Sequence, residues 1–341
     1  MNTKVKIESV RFSHLLEVIV LFIGIIFPLL SVTYYVHLVI LSFLWSIVAV
    51  CWNLLLGYSG ISSFGNLVFF GVGAYSSAWL TINMGVPPWL GIFIGGLLAS
   101  FMSILMGALT FRLRGVYVAL FTFASQEMLR YIVLLPEATK WTGGPIGLLG
   151  VPGFKLSNFN SLYLNYYLAF GILLITILSI HKLLNSRTGL ALNAMAQSEI
   201  YAKTLGINIF KTRLIVFSIA AFFTGIAGSF FAYYLHVVTD EYLSFTTMVS
   251  IIFMILIGGL GTFYGPVAGA FIYTIFSEYL KGILSGAIRL IVISMAIMII
   301  TILFPSGILE AIRKPFRSAL KPKVRSLFKS ANDTKSKAKN I

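Results

Sequence analysis

The side chains that could do acid–base chemistry in apolar surroundings form two closely spaced pairs. Glu127 lies three residues before Arg130, and Glu278 lies three residues before Lys281. On a helix, residues three apart are neighbours, so each pair can neutralise itself at modest cost. A proton relay would instead need a run of carboxylates or histidines across the bilayer, and the sequence shows no such run. We therefore predict two structural ion pairs.

Metal and nucleotide chemistry find little support in the remaining motifs. The single cysteine, Cys51, lies in an apolar run, and the four histidines are scattered without ligand spacing: His14, His37, His181 and His236. The sequence contains no G-x-x-x-x-G-K-[ST] phosphate loop and no H-E-x-x-H motif. We predict no metal site, no catalytic residue and no cofactor on this chain, so uphill transport would need an ion gradient or another polypeptide.

The composition is that of a membrane protein. Hydrophobic residues make up 58% of the 341 residues and charged residues only 10%, with a mean hydropathy of +0.95, whereas soluble domains carry about 25% charged residues. The pattern predicts an all-α polytopic membrane protein, and paired features of its halves suggest a two-half internal repeat. The apolar runs predict ten spans: 15–33, 36–56, 66–84, 88–111, 116–134, 162–182, 214–236, 245–260, 266–280 and 287–304.

The basic residues predict the orientation of these spans. With a cytoplasmic N-terminus, 20 of the 25 Lys and Arg residues fall on the cytoplasmic side, as the positive-inside rule requires. Both termini are then cytoplasmic. Ten of the basic residues follow Ile312, which divides the chain into a transmembrane domain, 1–312, and a basic tail, 313–341. Such a tail suits anionic lipid headgroups, and it carries no nucleic-acid motif.

Two glycine-rich segments interrupt the apolar pattern at comparable places in the two halves. The first runs from Gly57 to Asn66 and the second from Gly258 to Pro266. Irregular backbone at membrane depth is tolerated only where protein or water satisfies its amides, and paired interruptions point to a substrate path. Tight turns with small-residue helix packing are the alternative. The candidate residues are Gly57, Ser59, Gly60, Gly65, Asn66, Gly258, Gly259, Gly261 and Gly265.

Two loops predict docking surfaces. The hydrophilic loop 185–213 carries a helix-period stripe, and within it Ser198 can cap a short helix that Gly206 ends. The stripe consists of Ala191, Met195, Ser198, Ala202 and Leu205. The loop either docks a partner or packs on its own bundle. The outer loop 135–161, with Thr142, Gly143 and Gly144 beside Trp141, either docks an extracytoplasmic partner or covers the bundle.

These stretches, in this order, resemble the LivM-type permease subunits of branched-chain amino acid ABC importers. The resemblance covers about residues 45–310, and the segments that carry it are Trp52–Gly60, Phe69–Tyr75, Arg112–Tyr117, Thr142–Leu148, Arg187–Gly189, Glu199–Gly206 and Gly258–Pro266. It implies a prokaryotic inner-membrane importer with a second, LivH-type permease and two cytoplasmic P-loop ATPases that hold ATP and Mg²⁺. It also implies an extracytoplasmic substrate-binding protein.

The resemblance assigns a role to the cytoplasmic loop and leaves the substrate open. Glu199, Ala202, Lys203 and Gly206 would form the segment that couples to an ATPase. Ile61 and Asn66 stand where the family often has Gln and His, so a permease for urea or short amides remains an alternative to one for Leu, Ile or Val. An autonomous ion-coupled transporter and a membrane scaffold or channel are readings of different classes. The missing midplane carboxylates argue against the first of these, and the folded loop argues against the second.

Overall fold

The computed structural model describes Gly24, residues 27–28, 32–113, 115–154, 161–284 and 286–304, and Gly307. These residues form a helical bundle with one two-stranded sheet. The helices are α1 (Thr33–Asn53), α2 (Asn66–Met84), α3 (Pro88–Thr110), α4 (Val116–Leu134), α5 (Thr139–Thr142), α6 (Ser161–Leu184), α7 (Arg187–Gln197), α8 (Glu199–Thr204), α9 (Ile209–Leu235), α10 (Phe245–Gly258), α11 (Gly265–Lys281) and α12 (Gly286–Leu303). Strands β1 (Leu148–Leu149) and β2 (Val237–Val238) pair antiparallel.

Short irregular helices join these elements. A π-helical turn, Leu54–Tyr58, follows α1 directly. The 3₁₀ turns Pro136–Ala138 and Gly144–Ile146 flank α5, and a third, Asp240–Leu243, precedes α10. The prediction of an all-α architecture is thus confirmed in its main feature.

Helices occupy nine of the ten predicted spans, and the first, 15–33, lies almost wholly outside the described residues, as does the predicted basic tail. Five helices are long and apolar enough to cross a bilayer, namely α1, α2, α3, α6 and α9. A sixth would be α4 together with residues 136–142, which are bent from it by 67°. The count of ten spans and the internal repeat therefore stay predictions.

One group of helices, which we call the three-helix unit, consists of α2, α3 and α9. Their backbones approach closely because glycines face each other: a Cβ on Gly73 would overlap the carbonyl oxygen of Gly225, and one on Gly228 would overlap that of Phe70. In an apolar solvent, helix association rests on such close packing and on hydrogen bonds between helices. Ser229 adds one of these, since its hydroxyl donates to the Gly73 carbonyl at 3.0 Å.

A second group, which we call the broken-helix region, consists of α1, α10 and α11 with the glycine-rich segments 54–65 and 259–264. Helix α1 lies at its centre, and most of its residues are buried. Aromatic rings surround it: Phe43 contacts Tyr166 of α6 at a centroid distance of 5.4 Å and Phe271 of α11 at 5.5 Å. Trp45 stacks on Phe70 at 5.7 Å, which joins α1 to the three-helix unit.

Candidate functional site

The two glycine-rich segments, far apart in the sequence, meet in the structure. Asn53, at the end of α1, is buried and bridges them through both ends of its amide. Its Nδ2 donates to the carbonyl of Thr262 at 2.9 Å, and its Oδ1 accepts from the amide of Gly261 at 2.9 Å. A Cβ on Gly57 would lie only 2.6 Å from the nitrogen of Gly261. Backbone that leaves the helix is thus satisfied by protein, as membrane burial requires.

The first break begins with a widening of α1 into a π turn, a distortion often found at functional positions. Ser59 is buried and its hydroxyl donates to the Leu55 carbonyl at 2.7 Å. Gly60 has a φ of +63°, a left-handed conformation that turns the chain back. The Trp52 indole then donates to the Ser63 carbonyl at 2.7 Å and holds the returning segment against α1.

The end of the first break packs against α4. The Phe64 amide donates to the Thr122 hydroxyl at 2.9 Å, and a Cβ on Gly65 would lie 2.9 Å from the Thr122 carbonyl oxygen. Asn66 is fully buried; its Nδ2 donates to the Val48 carbonyl at 3.5 Å, whereas its Oδ1 has no hydrogen-bond partner among the described residues. The hydroxyl of Ser63 is also buried, and no residue that the structure describes bonds to it. This break therefore keeps unused hydrogen-bonding capacity.

The second break mixes two uses of glycine. Gly259 and Gly261 have φ values of +106° and +75°, so they make the turn between α10 and α11. A Cβ on Gly258 would instead overlap the carbonyl oxygen of Gly265, where the two helices diverge. Small-residue helix packing, which the sequence analysis gave as part of the alternative, therefore accounts for Gly258 and Gly265. Whether the breaks line a substrate path stays a prediction.

The hydrophilic loop 185–213 is folded, although not as one helix. Ser198 interrupts it between α7 and α8 and caps α8, its hydroxyl accepting from the Tyr201 amide, as predicted. Ala202 is fully buried with Met195 and Ile209 in a small core. Leu205, the last residue of the predicted stripe, lies beyond the helix: α8 ends at Thr204, and Leu205 is 75% exposed. Gly206 follows with a φ of +77° and ends the helix as predicted.

The predicted coupling residues fall into distinct environments. Glu199 forms an ion pair with Arg213, which ties the start of α8 to α9. Ala202 faces the small core, so it shapes the loop instead of offering its side chain to a partner. The most exposed apolar side chains are Ile200, Tyr201 and Leu205, at 76%, 73% and 75%. The sequence analysis did not single out Ile200 and Tyr201, whose signal was that, as apolar residues, they lie off the stripe that contains Ala202.

The outer loop is an anchored surface. The Thr142 hydroxyl donates to the Val133 carbonyl at 2.7 Å and accepts from the amide of Gly144 at 3.2 Å. Gly143, with a φ of +74°, lets the loop turn so that β1 can pair with β2. Trp141 packs against Trp79 at a centroid distance of 5.2 Å yet stays 58% exposed.

Of the two predicted ion pairs, one is confirmed and one is wrong. Lys281 contacts Glu278 at 2.6 Å. Arg130, however, pairs with Asp240 at 3.2 Å, because the 3₁₀ turn before α10 brings a carboxylate close to the end of α4. Glu127 Oε1 is buried, and the residues that the structure describes offer it no hydrogen-bond partner. The spacing along one helix could not reveal this competitor from a distant segment.

The amino-acid sequence of this chain is similar to those of known transport proteins. A family model described as the branched-chain amino acid transport system / permease component matches residues 34–303. The high-affinity branched-chain amino acid transport system permease protein LivM of Escherichia coli strain K12 is 27% identical over 290 residues, covering 76% of this chain and 68% of LivM. Its namesake from Salmonella typhimurium strain LT2 is 26% identical over 305 residues, covering 80% and 71%.

No solved structure matches the chain significantly. The family match spans both glycine-rich breaks, the bridging Asn53, the outer loop and the cytoplasmic loop, and it includes every helix from α1 to α12. The chain therefore belongs to the family of permease components of branched-chain amino acid transport systems.

Proposed function

We propose that this chain is the permease subunit of an ATP-driven importer that moves Leu, Ile, Val or a similar small amino acid into the cytoplasm. It would lie in a prokaryotic inner membrane with ten spans and both termini cytoplasmic. Its partners would be a second, LivH-type permease, two P-loop ATPases holding ATP and Mg²⁺, and an extracytoplasmic binding protein. The names of the two relatives support the substrate class.

The observation that carries this proposal is the apolar face of the cytoplasmic loop. Ile200, Tyr201 and Leu205 project from a segment that lies between two long apolar helices. Contiguous exposed apolar side chains on a soluble surface mark interaction sites, since water solvates them poorly. A compact helix with such a face fits a groove in a soluble partner, and on the proposed topology that partner is the ATPase.

The contacts between α8 and α9 would let the loop transmit force to the membrane helices. The Glu199–Arg213 ion pair and the core formed by Met195, Ala202 and Ile209 fix α8 against the beginning of α9. Helix α9 continues into the three-helix unit, where glycines lock it to α2 and α3. A force on α8 would therefore move the three-helix unit as one body. The backbone of the broken-helix region would change its conformation to allow this movement. In this proposal, that relative motion opens the path alternately to each side.

The outer loop would meet the binding protein. Its backbone is held by Thr142 and by the β1–β2 pairing, so it presents Trp141 on a fixed surface. Exposed tryptophan is common at the centres of protein interfaces. The loop would thus receive the loaded binding protein at the entrance of the path.

The test removes the apolar face without disturbing the loop core. Replacing Tyr201 and Leu205 with Ala should lower ATP-driven leucine uptake at least tenfold, while the amount of chain in the membrane stays unchanged. Phe101 and Leu105 of α3 are a matched control: they have the same spacing, are 60% and 50% exposed, and lie away from the loop. Their double Ala variant should transport normally.

Copurification in mild detergent provides the second measurement. The parent chain should recover P-loop ATPases and a second permease, and the Tyr201→Ala/Leu205→Ala variant should lose the ATPases. Normal uptake by that variant would refute the coupling role. Recovery of the parent chain alone, under conditions that keep other importers intact, would favour the ion-coupled alternative.

A further inference from the structure

A cavity of about 180 Å³ opens between α1, α10, α11 and α12. Part of its wall is polar, with Ser250, Tyr273, Ser277 and Arg289, and part is apolar, with residues such as Ile251 and Met254. It lies toward the ends of the helices where α10 begins and α11 finishes. On the proposed topology this is the extracytoplasmic side, from which a substrate would enter.

Arg289 in this wall has no charge partner within the described part of the chain. It makes no ion pair or hydrogen bond with any other residue that the structure describes, and its Nε is buried without a partner. Arg130, Arg213 and Lys281 each have a carboxylate instead. A guanidinium presents five donors and no acceptor, and leaving it uncompensated in a half-buried place is costly. The planar fork matches a carboxylate, which it can bind through two parallel hydrogen bonds.

The hydroxyl groups of the same wall have the opposite character. Tyr273 uses its proton to donate to the Ser250 hydroxyl at 2.7 Å, and Ser250 uses its own to donate to the Thr246 carbonyl at 2.9 Å. Each hydroxyl has a single proton, which it already donates, so Tyr273 and Ser250 offer only lone pairs to a ligand. Lone pairs accept hydrogen bonds from an ammonium group. The cavity thus offers donors at Arg289 and acceptors at Ser250 and Tyr273.

The size of the cavity limits the ligand. A cavity of about 150 Å³ holds a benzene molecule, so 180 Å³ suits a single small solute. The apolar wall, including Ile251 and Met254, can cover an aliphatic side chain. Urea has neither a carboxylate nor an apolar group and would leave half of these contacts unused.

We propose that this cavity binds a small zwitterionic amino acid, with its carboxylate on Arg289, its ammonium group on Ser250 and Tyr273, and its aliphatic side chain against Ile251 and Met254. The inference rests on the proposed transport function and gives it a substrate site. It also selects an amino acid over urea or a short amide as the solute.

A single engineered thiol can report on occupancy. The only native cysteine, Cys51, is fully buried, so Ser277→Cys would supply the accessible thiol in the full chain in its own membranes. L-Leucine should slow the reaction of this thiol with neutral N-ethylmaleimide at least fivefold. Arg289→Gln, added to Ser277→Cys, should abolish this protection, and Arg289→Lys should restore part of it because Lys keeps the charge. Asn83→Cys, exposed at the end of α2, should react equally with and without leucine.

Ligand analogues decide which group is recognised. Leucinol, which lacks the carboxylate, should not protect at ten times the leucine concentration that does. Equal protection by leucinol, or unchanged protection in an Arg289→Gln variant present at parental level, would overturn the carboxylate role. Protection that follows the anionic phospholipid content of vesicles, and not leucine, would show that Arg289 holds a lipid phosphate. Should Arg289→Gln fail to accumulate, the Arg289→Lys and leucinol comparisons still decide.

ATP-driven uptake by the parent membranes separates this inference from the proposed function. Normal leucine uptake without leucine protection of the Ser277→Cys thiol would reject the cavity as the substrate site and keep the importer assignment. Absence of ATP-driven uptake in the parent, with protection intact, would reject the energy source and keep the site.

Discussion

The three-helix unit and the broken-helix region are both rich in glycine and both use it for close packing, but the broken-helix region also uses it to turn the backbone. Between α2 and α9, Gly73 and Gly225 remove side chains so that two straight helices can touch. In the broken-helix region, Gly60 and Gly261 supply left-handed turns that end helices. The same residue type therefore makes one part of the bundle closely packed and gives the other an irregular backbone. A transporter needs both, because a body that moves must be stiff and the place where it moves must accept two arrangements.

Some buried polar groups lack partners in both regions. In the three-helix unit Ser229 donates to Gly73 and Tyr233 donates to the Ser77 carbonyl at 3.1 Å, whereas the Tyr75 hydroxyl is buried without a partner among the described residues. Where the first break joins α2, Ser63 Oγ and Asn66 Oδ1 are likewise buried without a described partner. An unsatisfied buried group destabilises the arrangement it is in by about 1–3 kcal/mol. We infer that the buried atoms of Ser63 and Asn66 find hydrogen-bond partners in another arrangement of the same region. That second arrangement would then lie closer in free energy to the present one.

The largest effect is expected from breaking the three-helix unit. Gly73→Val would place a branched side chain against the backbone of Gly225, and backbone cannot move aside by a change of rotamer. We expect destabilisation at the upper end of overpacked cores, about 3 kcal/mol, and at least a fivefold loss of folded chain. Size-exclusion chromatography of a fluorescent fusion would measure it.

Gly171 supplies the matched control for that substitution. It also lies within a long helix, α6, but a Cβ there would meet no described residue within 4 Å. Gly171→Val should therefore accumulate at the parental level. Similar losses at both positions would mean that valine itself is harmful in these helices and that close packing of α2 on α9 is not the reason.

The helices and the existence of the breaks could be predicted from the sequence because both depend on local patterns. Long apolar runs placed helices at nine predicted spans, although α9 begins at Ile209 and not at residue 214. The capping of α8 by Ser198 was equally local, since cap and helix are adjacent in the chain.

The features that the sequence did not predict depend on contacts between residues that are far apart in the chain. Nothing near Asn53 indicates that Thr262 and Gly261 will be its hydrogen-bond partners. Arg130 has a plausible neighbour in Glu127, and only the folded chain brings Asp240 closer. The cavity at Arg289 likewise needs four helices to form it. Apolar periodicity carries no information about such pairings, because many helix arrangements bury the same faces.

A smaller loss is expected from separating the two breaks. Asn53→Ala would leave the Gly261 amide and the Thr262 carbonyl without their partners, at a cost of about 1–3 kcal/mol in each arrangement that uses the bridge. We expect leucine uptake to fall about tenfold while most of the chain remains folded. Uptake and the chromatographic profile should be measured on the same preparations.

Asn83→Ala provides the reference for that variant, since Asn83 is exposed and bonds only within its own helix, to the Trp79 carbonyl at 3.1 Å. It should leave uptake unchanged. If Asn53→Ala lowered the folded amount as much as the uptake, the bridge would be a packing contact like those of the three-helix unit, and the distinction between the two regions would fail.

The smallest effect is expected at Gly60. A substitution there changes the preferred backbone conformation without adding a close side-chain contact. A Cβ there meets none of the described residues within 4 Å, so the reason for glycine that the structure shows is its φ of +63°. Left-handed backbone costs an ordinary L-residue roughly 1–2 kcal/mol, but Asn visits it readily. Gly60→Val should therefore lower uptake several-fold, and Gly60→Asn, although also larger than glycine, should restore most of it. Equal uptake by the two variants would show that the left-handed turn at the first break is not needed, because a β-branched residue would then serve as well as one suited to that conformation.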